Sequence, residues 1–79
     1  MTMILDELNK VFCRVFHAKD LVISLHSDAS SLEGWDSLTH VALVSETEKH
    51  FKITFSFNEM MQFRNVGDLV NAIEKHLQQ

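Results

Sequence analysis

Three blocks of this chain repeat their apolar residues at the spacing of an α-helix, and one long aperiodic stretch separates the first block from the second. Ile4, Leu5, Leu8, Val11, Phe12, Val15 and Phe16 recur at intervals of one, three and four. That is one stripe of an amphipathic helix, with Asp6, Glu7, Asn9, Lys10 and Arg14 facing outward. The spacing predicts a first helix from about Thr2 to Phe16. A second helix begins at Asp36 or Ser37, both good N-caps, and its expected inward face is Leu38, Val41, Val44, Thr47 and Phe51. Ser56-Phe57-Asn58-Glu59 reads as a capping box, with Phe55 and Met60 as its hydrophobic staple, opening a short helix that ends near Gln62. Asn65 caps a last helix whose stripe is Val66, Leu69, Val70, Ile73 and Leu77; Lys75 and His76 suit its C-terminal dipole.

From His17 to Trp35 no helical period exists, and Ser24, Ser27, Ser30 and Ser31 are interspersed with Asp28 and Gly34. Loops of this length are uncommon in compact domains and are usually functional or hide a missed element. Leu21, Ile23 and Leu25 alternate, as do Phe51, Ile53, Phe55 and Phe57. Two short strands make a marginal sheet. Both segments are therefore expected to lie extended over the core, with a strand pair as the rival. The expected fold is all-α: three main helices, one short helix and a long first loop.

Composition narrows the function. A chain of 79 residues is one domain at most, and 46% apolar residues with two glycines and no proline argue against a disordered or proline-rich segment. A core of this size uses most of the apolar residues, so a self-contained enzyme is not expected. Seven Lys and Arg against eleven Asp and Glu give a net charge of −4, and the basic residues are scattered. Nucleic acid, which needs a basic patch, is not an expected partner. Proteins with basic surfaces are. A single cysteine cannot form an internal disulfide, and neither a signal-peptide pattern nor a long apolar run is present. A cytoplasmic protein without a membrane span is expected.

The informative segment is Gly34-Trp35-Asp36-Ser37-Leu38. Glycine permits a tight turn, and Ser37 stands at a helix start after an exposed loop, where backbone N–H groups and the helix dipole favour an anion such as a phosphate ester. The plainer alternative is that Asp36 and Ser37 only cap the helix. Elsewhere, Cys13 and His17 are four apart and could share a helix face as metal ligands or as nucleophile and base, but no third partner is spaced to join them. A small apolar cysteine beside the core is the expected reading, and no metal site is expected. His26, His40, His50 and His76 show no ligand spacing and are read as surface residues. Met60, Met61 and Phe63 are expected to close the core, or to line a pocket if one opens. Trp35 is either a loop anchor or a partner contact. Thr47 is expected to bond back to the Leu43 carbonyl.

Taken together, Asp36-Ser37-Leu38 opening the second helix, Phe51-Lys52-Ile53 closing it, a short helix at Phe57 to Gln62, and Asn65-Val66-Gly67-Asp68-Leu69-Val70 opening the last resemble the acyl carrier protein family over nearly the whole chain. The resemblance implies one carrier domain over residues 1–79 with a four-helix fold. It implies that Ser37 is esterified by 4′-phosphopantetheine, whose thiol carries an acyl group as a thioester, and that the carrier catalyses nothing. Asp36 would help the modifying transferase bind, and Leu38 would contact partners. Trp35, Val41, Glu46 and Glu48 are the further candidates for partner contacts. The implied partners are a phosphopantetheinyl transferase and acyl-loading and acyl-processing enzymes, and a monomer is expected.

The sequence departs from fatty-acid carriers on its second helix. Ala42 stands where an acid is common, and Lys49 and His50 interrupt the charge near Glu46 and Glu48. The expectation is a stand-alone carrier for a specialised lipid, polyketide or related pathway. A peptidyl carrier is the close rival, although such carriers more often have a second glycine where this chain has Trp35. An unmodified helical interaction module is the alternative of a different class.

Overall fold

The computed structural model describes residues 3–78. The chain runs through four helices, α1 (Met3–Val15), α2 (Ser37–Phe51), α3 (Phe57–Gln62) and α4 (Val66–Leu77). Thr2, the expected first residue of α1, lies outside the described residues. The α1 stripe packs as its spacing dictates, with Leu8, Val11 and Phe12 fully buried and Ile4, Leu5, Val15 and Phe16 partly so. α1 packs against α2 and α4. Leu43, Val44 and Thr47 of α2 and Val66, Leu69 and Ile73 of α4 complete the core.

The starts of α2, α3 and α4 are each satisfied by a side chain. Asp36 caps α2 through the Thr39 amide, Asn65 caps α4 through the Asp68 amide, and Ser56 and Glu59 form the reciprocal capping box of α3. Among the described residues no strand forms; one isolated bridge joins Asp28 to Asn65. The extended segments lie over the core, as Ile23 and Phe55 are buried. The loop does not need a strand partner, because two helices satisfy its backbone. Asn9 of α1 accepts from the Ile23 amide at 2.7 Å and donates to the Leu21 carbonyl at 3.0 Å. The amides of Val66 and Gly67, otherwise unpaired in the first turn of α4, donate to the carbonyls of Ser27 and Leu25. A Cβ at Gly67 would stand 3.1 Å from that Leu25 oxygen, which is why the close approach favours glycine.

Several expectations are corrected. Asn9 was expected to face outward and instead holds the loop. Leu38 and Val41 of α2 do not face the core; they are 83% and 54% exposed. α2 carries two apolar faces, one at 43, 44, 47 and 51 and another at 38 and 41, so a single stripe drawn through both mixes them. Leu77 and Met61 are likewise exposed instead of closing the core, whereas Phe63 is buried. Cys13 and His17 do not share a helix face. α1 ends at Val15, and His17 lies beyond it in the left-handed region at φ 53°. The Cys13 thiol is half-buried against the Leu21 carbonyl, 3.3 Å away.

Candidate functional site

The long loop ends by swinging its backbone around Gly34, whose φ of +94° is one that L side chains rarely adopt. This turn drops Trp35 into the core at 8% exposure, where its ring meets Phe12 edge-on at 5.5 Å and Phe16 at 6.3 Å. Trp35 is thus the loop's anchor, and its burial removes it as an outward partner contact. With the tryptophan fixed, Asp36 takes the N-cap and Ser37 becomes the first residue of α2.

That division of labour settles which of the two residues caps α2. Asp36 Oδ1 accepts both the Thr39 amide at 2.9 Å and the Thr39 hydroxyl at 3.0 Å. These bonds, the amide's foremost, hold the Asp36 carboxyl below its ordinary value. Ser37 is not the cap. It is exposed, and among the described residues its hydroxyl has no hydrogen-bond partner. The loop serines differ: the hydroxyls of Ser24, Ser27, Ser30 and Ser31 are all bonded within the loop, and Ser56 is committed to its cap.

A cavity of about 520 Å³ opens beside Ser37. It is walled by Trp35, His40, Val41, Met60, Met61 and Phe63, with Ala29, Asp36 and Arg64 also lining it. His40, expected on the surface, is half-buried in this wall and bonded to both Trp35 and Met60. His50 and His76 are also not free surface residues. His50 meets Glu7 at 2.7 Å, joining α2 to α1, and His76 meets Glu59 at 2.9 Å, joining α4 to α3. Spacing along the chain could not disclose the links to Met60, Glu7 and Glu59, since each of those partners is seventeen or more residues away. Arg64 and Ala29 were also missed, because neither belongs to a periodic pattern.

Of the other expected contact residues, Leu38 and Val41 form an apolar surface next to Ser37. Glu46 and Glu48 sit further along α2 and are partly spent on the fold. Glu46 pairs with Lys49 at 3.6 Å, and Glu48 accepts the Phe55 amide at 2.7 Å. Thr47 is fully buried and donates to the Leu43 carbonyl at 2.7 Å, as expected. No group of three or more potential metal ligands occurs among the described residues. No helix among them is long and apolar enough to cross a membrane.

The model of the phosphopantetheine attachment site family matches residues 6–73. An acyl carrier protein of Phytoplasma mali (strain AT) is 34% identical over 55 residues, covering 70% of this chain and 66% of that protein. The match thus spans just under two thirds of that relative's length. The solution structure of a holo acyl carrier protein from Geobacter metallireducens superposes with a TM-score of 0.87 at 35% identity, covering 99% of this chain and 88% of that one. The residues here fit a phosphate ester: a free hydroxyl, the positive end of a helix dipole and an apolar cavity alongside. With the match extending over most of the sequence and the fold alike, the chain belongs to the acyl carrier protein family, whose members bear covalent phosphopantetheine and are carriers, not catalysts.

Proposed function

We propose that this chain carries acyl groups on a 4′-phosphopantetheine arm attached to Ser37 and presents them to the enzymes of a specialised lipid, polyketide or related biosynthetic pathway. The observation that carries the reading is the exposed Ser37 hydroxyl, unengaged at the start of α2 because Asp36 holds the cap. The arm supplies a thiol that holds an acyl group as a thioester. The chain's own residues do the rest. Ser37 Oγ is the attachment atom, and the helix dipole behind it favours the phosphate's negative charge. Asp36 sets the first turn of α2 through Oδ1, while Oδ2 takes part in neither Thr39 bond and remains for a phosphopantetheinyl transferase to contact. Leu38 and Val41 offer that enzyme, and the acyl-loading and acyl-processing enzymes after it, an apolar contact beside the modified serine. The cavity of Trp35, His40, Val41, Met60, Met61 and Phe63 shelters the acyl chain from water.

The weakly charged docking face supports a specialised pathway. Ala42 contributes no charge, Glu46 is offset by Lys49, and Glu48 is turned to the Phe55 amide. Partners therefore need few basic residues, in contrast to enzymes that recognise a strongly acidic second helix. The test is loading followed by challenge. Incubation with coenzyme A and a broad-specificity transferase should add one phosphopantetheinyl group to the wild type and none to Ser37→Ala, read by intact mass. The acyl form should then be a poor substrate for standard fatty-acid condensing and reducing enzymes. Turnover comparable to their own carrier contradicts the specialised role, and absence of loading with the chain folded favours an unmodified interaction module.

A further inference from the structure

The cavity beside Ser37 owes its back wall to one imidazole whose two nitrogens serve two different elements. Trp35 Nε1–H donates to His40 Nδ1 at 3.0 Å, and His40 Nε2 lies 2.8 Å from the Met60 carbonyl oxygen. An indole N–H only donates and a carbonyl only accepts, so in this arrangement Nδ1 accepts and Nε2–H donates. From α2 the ring thereby ties the end of the first loop to α3, and both residues it holds line the cavity. The Phe63 ring closes the same wall 6.4 Å away. α3 is lightly anchored: none of its six residues is fully buried, and Met60 alone of them packs on the core. Its other side-chain tie to a helix is Glu59 to His76 of α4.

We propose that His40 is a positioning residue that fixes the cavity wall, and so decides which acyl groups this carrier can shield. The inference rests on reading the cavity as the acyl site. With both bonds in place, Trp35 and Met60 stand a fixed distance apart, and an acyl chain entering from Ser37 meets a rigid wall. Removing the bonds releases the indole N–H and lets α3 move away from α2, which admits water to the cavity. Glutamine reproduces the pattern, because its carboxamide oxygen can accept from Trp35 and its NH₂ can donate to Met60. Leucine keeps apolar bulk and removes both bonds.

The experiment loads acyl groups of increasing length onto the phosphopantetheinylated wild type, His40→Gln and His40→Leu. Thioester hydrolysis is compared with that of the same acyl groups on free pantetheine, and the Trp35 indole N–H resonance is followed by NMR. The expected result is slow hydrolysis in wild type and His40→Gln. His40→Leu should hydrolyse about thirtyfold faster, the population change that two net hydrogen bonds are worth. The indole resonance should hold in the glutamine variant and move upfield in the leucine variant. Should His40→Leu not fold, Trp35→Phe removes the indole donor while keeping a ring in the core, and a smaller loss of protection, about fivefold for the one bond removed, is expected. Equal protection in a folded variant lacking the bond overturns the role of His40. A wild type that hydrolyses as fast as free acyl-pantetheine, with the indole resonance still hydrogen-bonded, overturns the cavity reading and the proposal with it.

Discussion

At the scale of single residues, the site depends on which side chains are committed to the fold and which are left free. Asp36 and Ser37 are adjacent and both are good N-cap types, yet the extended backbone of Asp36 aims its carboxylate at the Thr39 amide and leaves Ser37 at the first helical position. Their variants should therefore separate. Asp36→Ala should lower stability by about 1 kcal/mol, the usual cost of losing such a cap, as measured by urea unfolding. Ser37→Ala should leave stability within about 0.5 kcal/mol of wild type, since it removes no bond from the described fold. Gly34→Ala forces a Cβ into φ +94° and should cost about 1–2 kcal/mol. A neutral Gly34→Ala would mean the turn relaxes freely and does not fix Trp35. The sequence made Gly34, Asp36 and Ser37 stand out, but it left the cap assignment open, because residue type alone cannot say which of two neighbouring oxygens reaches the N3 amide.

At the scale of elements, α1, α3 and α4 were legible because each has one apolar stripe or a distinctive cap. The bounds of α2 were legible too, but its inward face was not, because the helix carries apolar residues on two surfaces. Its Leu43, Val44 and Thr47 go into the core while Leu38 and Val41 face solvent beside Ser37. One apolar set packs and the other is exposed, and that division is what blurs the period. The first loop was legible as an irregular segment laid over the core, but what fastens it there was not. Its order comes from Asn9, which looks like an ordinary outward polar residue until the Ile23 amide and Leu21 carbonyl are seen beside it. Asn9→Ala leaves that amide unsatisfied under a partly buried segment and should destabilise by about 1–3 kcal/mol. Amide hydrogen exchange should show the loss concentrated at Leu21 to Ser24. Unchanged protection there would mean that the loop is held by the packing of Ile23 alone.

At the scale of the whole molecule, two histidine–carboxylate contacts fasten the helices in pairs, Glu7 with His50 between α1 and α2 and Glu59 with His76 between α3 and α4. The His50 hydrogen bond, followed by that of Lys10, holds Glu7 below its ordinary carboxylate range. For Glu59 the Ser56 amide comes first and the His76 bond second. A carboxylate lowered in the folded state contributes stability above its unfolded value of about 4.5, and that contribution is lost as pH falls through the lower folded value. Thermal unfolding followed between about pH 3 and 7 should show a midpoint that falls on the acid side, and less steeply in Glu59→Gln. Parallel curves would remove Glu59 from this account.

The proposed role requires that this small acidic bundle hold the Ser37 hydroxyl free for a covalent arm. Its most direct measurement is the location of the group after loading with coenzyme A and transferase, by fragmentation mass spectrometry of the peptide that spans the first loop and the start of α2. The account predicts one phosphopantetheinyl group, on Ser37 alone, with Ser24, Ser27, Ser30 and Ser31 unmodified because their hydroxyls are bound within the loop. A group found on any of those loop serines, or none on the folded chain, would contradict it.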